Sequence, residues 1–218
     1  MADVILYGPH WSAYTRTARL ALIEKGVAYA LQEVDFSGGK GMPAEHLARH
    51  PFAKVPALRH GDYWLYETSA ICRYVDAAFD GPALQPTAPQ EIGRMAQIVA
   101  ILDAYLSAPI RHGLISQLLT GPLQGRAPDQ MQVAAAKASV ESGFSALEDC
   151  LAGGPFMTGP TLSLADLHAA PLLDYLMLTP GGPELVAPHG RLRRWWEGVA
   201  QRPSIVATGP DLDSFLSP

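Results

Sequence analysis

The sequence holds only two cysteines, Cys72 and Cys150, in 218 residues. Both fall in apolar stretches of helical character, so each is expected reduced and buried; a disulfide-stapled framework is excluded. No Cys or His spacing matches a zinc site, so no metal is expected. An excess of positive charge is also missing. Lys and Arg number 16 against 21 Asp and Glu, a formal net charge of −5, whereas a nucleic-acid partner calls for a basic patch. No apolar run approaches the ~20 residues needed to cross a bilayer. The opening MADVILYG lacks the basic region and small-residue cleavage site of a secretory signal. The expectation is a cytoplasmic chain with no membrane or nucleic-acid partner. Charged residues are sparse at 17%, yet hydrophobic residues make up 48%, which excludes a disordered or fibrous chain and suits one or two packed domains.

The first third alternates between periods. DVILYG reads as a buried strand, followed by a helix from about Ala13 to Lys25 that stops at Gly26. VAYALQEVDF has a period of two and is expected as a second strand. SGGKGMP breaks every pattern and is read as a loop. AEHLARHP makes a short helical turn closed by Pro51. VPALRHGDYWLYE reads as a hairpin turning at His60-Gly61-Asp62, and TSAICRYVDAAF as a helix with Ile71, Tyr74, Val75 and Phe79 on one face. The order is βαβ followed by ββα. DGPALQPTAPQ then interrupts with three prolines and a glycine, as a linker does. Helical patterns follow over about 90–119, 129–151, 164–178 and 192–202, with no convincing strand. The expected fold is α/β plus all-α: a domain over 1–80, a linker over 81–89 and a helical bundle over 90–218.

Several residues have plain structural readings. Ser12, between VILYGPHW and the first helix, is a preferred N-cap. Thr68 can cap the third helix, with Glu67 complementing its dipole. Ser163 and Asp166 in SLAD fit a capping box in which aspartate replaces the usual Glu or Gln, a device of folding rather than catalysis. Trp195 and Trp196 read as core. Pro109 is placed to bend the long first helix of the bundle.

Four segments carry a more specific likeness. LYGPHWSAYTRTAR (Leu6 to Arg19), HLARHPFAKVPAL (His46 to Leu58), LYETSAICRYV (Leu65 to Val75) and PTLSLADL (Pro160 to Leu167) resemble, in order and spacing, motifs of the cytosolic glutathione transferases. The likeness spans almost the whole chain and points to the serine-type classes, with a phi-, zeta- or theta-like bacterial member as the nearest type. It implies a thioredoxin-like first domain that binds glutathione and a helical domain that contributes an electrophile pocket between the two. It also implies a detoxifying enzyme with glutathione as co-substrate, a small-molecule electrophile as second substrate, and a homodimer.

By that resemblance Ser12 is the catalytic residue. Glutathione's thiol has a free pKa near 8.5, and the thiolate is the nucleophile. A hydroxyl at a helix start can donate to the sulfur anion, and the positive end of the helix adds to the effect. Tyr7 and Tyr14 are the alternatives. Val55 and Pro56 are expected to form a cis peptide whose turn offers the Val55 N–H and C=O to the cysteinyl backbone. Glu67 would take the γ-glutamyl ammonium. Thr68 and the free N–H groups of its helix would take the γ-glutamyl carboxylate, with Ser69 as a further contact. Lys54 and Lys40 are assigned to the glycine carboxylate, with His46 as a weaker candidate. Tyr105, Arg111, His112 and Ile115 are candidates to line the electrophile pocket, where an arginine would favour an anionic substrate. Phe52 resembles the aromatic key that inserts into a partner subunit. Two other readings stay open: a glutathione-dependent isomerase of the maleylacetoacetate type, against which Ala13 and Tyr14 argue, and a non-catalytic binder of glutathione or hydrophobic ligands.

Overall fold

The computed structural model describes residues 3–36, 41–210 and 212–213. The chain divides into two compact units, Met1–Leu84 and Gln85–Ser217.

In the first unit four strands form one sheet: β1 (Val4–Tyr7), β2 (Ala30–Gln32), β3 (Ala57–His60) and β4 (Tyr63–Tyr66), in the order β2-β1-β3-β4. β1 runs parallel to β2 and antiparallel to β3, and β3 is antiparallel to β4. This is the thioredoxin-like βαβ-ββα arrangement. A parallel pair needs a crossover, and α1 (Ala13–Glu24) supplies it. α2 (Ala44–Arg49) precedes β3, and α3 (Thr68–Ala78) follows β4. Leu6, Leu20, Leu22, Leu58, Ile71 and Val75 are fully buried and join sheet to helices. Each such side chain stabilises the fold by about 1.5–3 kcal/mol relative to leaving it exposed. Cys72 forms no disulfide and is buried in this core, its thiol donating to the Thr17 C=O at 3.8 Å; Cys150, in the second unit, is likewise buried and outside any disulfide.

β2 is shorter than its sequence suggests. VAYALQEVDF alternates over ten residues, but only three pair with β1, in the register Ile5↔Ala30 to Tyr7↔Gln32. β1 is itself only four residues long, so no ladder remains for the rest. The start of the expected linker is tied to the first unit. Lys25 Nζ, nearly buried, lies 3.2 Å from Asp76 Oδ1 and donates to Gly81 C=O at 3.5 Å. The same Asp76 oxygen accepts the Leu84 N–H at 2.8 Å.

The second unit contains no named strand among the described residues. Its helices are α4 (Pro89–Ile101), α5 (Gly121–Leu123), α6 (Gln130–Cys150), α7 (Leu164–Leu178), α8 (Gly182–Val186), α9 (Gly190–Val199) and α10 (Pro203–Ala207). The expected single helix over 90–119 is not continuous. After Ile101 it passes into π-helical turns over Leu102–Leu106 and Pro109–Thr120. Proline has no N–H to give to the preceding turn. The axes of Pro89–Leu106 and Pro109–Leu123 accordingly meet at 49°. Gly113 is required where this segment crosses α6, because a Cβ there would collide with Ala136. Two further boundaries differ from expectation. α8 sits between the expected helices over 164–178 and 192–202, where no helix is expected, and is entered through Gly181 at φ 81°. The last expected helix ends at Val199, with α10 beginning separately at Pro203. Among the described residues, no single helix is long and apolar enough to cross a membrane.

Candidate active site

The sheet register brings the segments that carry Ser12, Val55-Pro56 and Glu67-Thr68 to one end. Tyr7 pairs with Ala57 and Ala57 with Tyr66, so the chain positions just beyond that row are Gly8, Pro56 and Glu67. The same row therefore launches the Ser12 loop, the Val55-Pro56 turn and the start of α3. Gly8 and Val55 are in close approach: a Cβ on Gly8 would lie 3.3 Å from Val55 Cβ and would overlap the Thr15 hydroxyl.

Ser12 is the N-cap of α1. Its backbone is extended (φ −65°, ψ 127°), and its Oγ accepts from Thr15 N–H at 3.4 Å. The residue is 7% exposed. With a lone pair turned to the helix, the hydroxyl keeps its own proton for another acceptor. Tyr7 is placed otherwise. Its ring is stacked on Trp64 at 5.4 Å between centroids, and the Arg49 guanidinium covers it at 4.3 Å. It is only 4% exposed and serves as packing. Tyr14 lies half-buried in the first turn of α1.

The Val55-Pro56 peptide is cis. Among the described residues neither the Val55 N–H nor its C=O has a hydrogen-bond partner, while the β3 ladder begins at Ala57. Glu67, exposed, precedes α3 with φ 71° and ψ 117°, a conformation rarely held by a residue with a side chain. Its carboxylate does not cap the helix. Thr68, the first residue of α3, is 7% exposed, and the first N–H groups of that helix point to the same end.

Lys54 is exposed beside Val55. Lys40 lies outside the described residues. His46 does not fit its assigned role. It is wholly buried, and its Nε2 is 2.8 Å from the Lys54 carbonyl oxygen. A carbonyl only accepts, so Nε2 carries the proton and anchors the loop that holds Lys54 and Val55. No local pattern signals this, because the pairing joins a helix to the loop that follows it. His50 was missed as well. It is 2% exposed, packs on Tyr66 at 4.8 Å between ring centroids, and feels the charges of Glu67, His46 and Lys54. Burial lowers its pKa below 6.5 despite the opposing pull of Glu67.

Phe52 stands out at 65% exposure, edge-on to Tyr66. In the second unit Tyr105 is 67% exposed on the Leu102–Leu106 turns. Arg111 and His112 follow Pro109 on the next π-helical segment, Arg111 half-buried and His112 exposed. Ile115 differs from them: at 8% exposure it belongs to the core of the bundle. No group of three or more His, Cys, Asp or Glu among the described residues is placed to share a metal ion.

Comparison with known proteins gives this arrangement its family. Residues 11–78 match the glutathione S-transferase N-terminal domain and residues 130–197 the C-terminal domain. Glutathione S-transferase 1 of Zea mays is 32% identical over 206 residues, 94% of this chain and 95% of the relative. The crystal structure of glutathione transferase F7 from Populus trichocarpa superposes with a TM-score of 0.82 at 26% identity, covering 98% of this chain and 99% of that one. Maize glutathione S-transferase I in complex with an atrazine glutathione conjugate gives a TM-score of 0.81 at 26% identity, covering 99% and 98%. The chain belongs to the glutathione S-transferase family.

Proposed function

We propose that this chain joins glutathione to electrophilic small molecules, with Ser12 holding the sulfur as thiolate. The single observation that carries the reading is the N-cap geometry of Ser12. Its oxygen is occupied by the Thr15 N–H, and its proton is available at the sheet end shared with Val55 and Glu67. A hydrogen bond to a charged partner stabilises it by roughly 1.5–3 kcal/mol. That corresponds to a fall of one or two units in the thiol pKa, at ~1.4 kcal/mol per unit. The thiolate then attacks an electrophilic carbon. A C–S bond forms, and the displaced electron pair departs on the leaving group or settles on the conjugated acceptor.

The remaining contacts divide the tripeptide. Val55 N–H and C=O pair with the cysteinyl backbone like an added strand. Glu67 meets the γ-glutamyl ammonium, while Thr68 and the first N–H groups of α3 meet its carboxylate. Lys54 and Lys40 meet the glycine carboxylate. Tyr105, Arg111 and His112 contact the electrophile, and Arg111 favours an anionic one. Phe52 seats in a second copy of the chain to form a two-fold dimer. Two buried thiols outside any disulfide suit a cytoplasmic setting.

The test is conjugation of a chlorodinitroarene by wild type and Ser12→Ala. Loss of about tenfold to a hundredfold in kcat/KM, with glutathione affinity little changed, supports the reading. Equal activity in both proteins refutes the role of Ser12. Tight glutathione binding without conjugation, isomerisation or peroxide reduction makes the chain a binder.

A further inference from the structure

The loop that carries Ser12 is held from outside the helix it begins. The His10 N–H donates to both carboxylate oxygens of Glu33, at 3.1 Å and 3.3 Å. The His10 ring Nδ1 lies 2.8 Å from Glu33 Oε1. A carboxylate only accepts, so Nδ1 carries a proton whether the ring is neutral or charged. One side chain thus grips one residue by main chain and ring together. The opposite face of His10 is held too: Arg19 Nη1 donates to its C=O at 3.4 Å, and Arg19 Nε donates to the Tyr29 hydroxyl at 3.2 Å. Trp11 meets Phe36 edge-on at 5.8 Å, and Ser12 closes the turn with its N–H on Pro9 C=O at 3.1 Å.

We infer that Glu33 is a positioning residue for Ser12: by clamping His10, two residues upstream, it fixes the direction in which the Ser12 hydroxyl meets the glutathione sulfur. The inference rests on the reading of Ser12 given above. Glu33 lies just after β2, and among the described residues its hydrogen bonds go to His10, not to Ser12 or to a group assigned to glutathione. Its effect passes through the backbone between His10 and Ser12. A hydrogen bond to a thiolate depends steeply on direction, and small displacements of a catalytic group are expensive in rate. A contact this exposed, with side chains 38% and 53% accessible, contributes little to stability. A merely structural Glu33 would therefore leave both the melting temperature and the thiol unchanged, whereas a positioning Glu33 leaves the first and moves the second.

The experiment titrates the ultraviolet thiolate absorbance of glutathione bound to wild type, Glu33→Ala, Glu33→Gln, His10→Ala and Ser12→Ala. Glu33→Ala and His10→Ala are expected to raise the bound thiol's pKa by about half a unit to one unit. They should lower kcat roughly threefold to thirtyfold near neutral pH while changing the glutathione KM less than twofold. Glu33→Gln keeps one acceptor oxygen and is expected to shift the thiol in the same direction by less, which decides the matter if Glu33→Ala fails to fold. A thiol that titrates as in wild type in either Glu33→Ala or His10→Ala, or a Glu33→Gln protein unchanged when the alanine variant does not fold, overturns the inference. If Ser12→Ala shifts the thiol and the Glu33 variants do not, only the positioning role fails. If Ser12→Ala titrates like wild type, the Ser12 reading fails and this inference with it.

Discussion

Trp195 donates its indole N–H to Asp166 Oδ1 at 2.7 Å. The same carboxylate accepts the Met157 N–H, the Ser163 N–H and the Ser163 hydroxyl, each at 2.8 Å. Asp166 thus does more than complete a capping box: it joins the start of α7, the loop before it and α9 at one buried point. Burial raises its pKa even against these four donors. Trp195→Phe keeps the packing and removes one donor, with an expected loss of about 1.5–3 kcal/mol in urea unfolding. Asp166→Ala strands three N–H donors and a hydroxyl and is expected to cost about 3–5 kcal/mol, seen as a lower urea midpoint.

Glu67 and Ala53 are the two residues other than glycine with positive φ among the described residues, at 71° and 53°. A side chain in that region costs about 1–2 kcal/mol. Ala53→Gly is expected to raise stability by about 0.5–1 kcal/mol and to leave conjugation unchanged. Glu67→Gly is expected to do the first while raising the glutathione KM at least roughly tenfold, because it also removes the charge proposed to face the γ-glutamyl ammonium. Thermal melts and glutathione titrations on the two variants separate strain from binding. Equal glutathione affinity in Glu67→Gly and wild type removes Glu67 from the site.

The depressed pKa of His50 predicts a pH-dependent stability. Its folded pKa lies below the unfolded value of about 6.5, so in the window between them the unfolded chain binds more protons. Stability is therefore constant above that window and falls as pH drops from about 6.5 towards the folded value. His50→Phe keeps a ring against Tyr66 and cannot titrate. Chemical unfolding at pH 7.5 and pH 5.5 should show a smaller loss for the variant than for wild type.

Phe52 exposes a large ring beside the Val55 turn. If it seats in a second copy, Phe52→Ser halves the mass seen by sedimentation at micromolar concentration and leaves the circular dichroism unchanged. An unaltered sedimentation coefficient removes Phe52 from any dimer contact.

Legibility in the sequence followed the range of the interaction. α1, α3, α6 and α7 could be read because periodicity, caps and glycine stops are local signals. Ser12 could be read as a cap from neighbouring residues alone, but its role at sulfur came only from resemblance. β2 was overread because alternation fixes which face is buried and not how long a partner strand runs beside it. The break at Pro109 was visible, the π-helical turns around it were not, and α8 hid in a Gly/Pro-rich stretch. Glu33 on His10, His46 on the Lys54 carbonyl and Trp195 on Asp166 escaped because each joins segments that only the folded chain brings together.

Asp76 balances the Lys25 charge and holds the Leu84 N–H with a single oxygen, so the strand of chain leaving α3 is stapled at its root. A protease probing native protein should pass over the bonds from Gly81 to Leu84, exposed as Gly81 to Ala83 are, until that staple is lost.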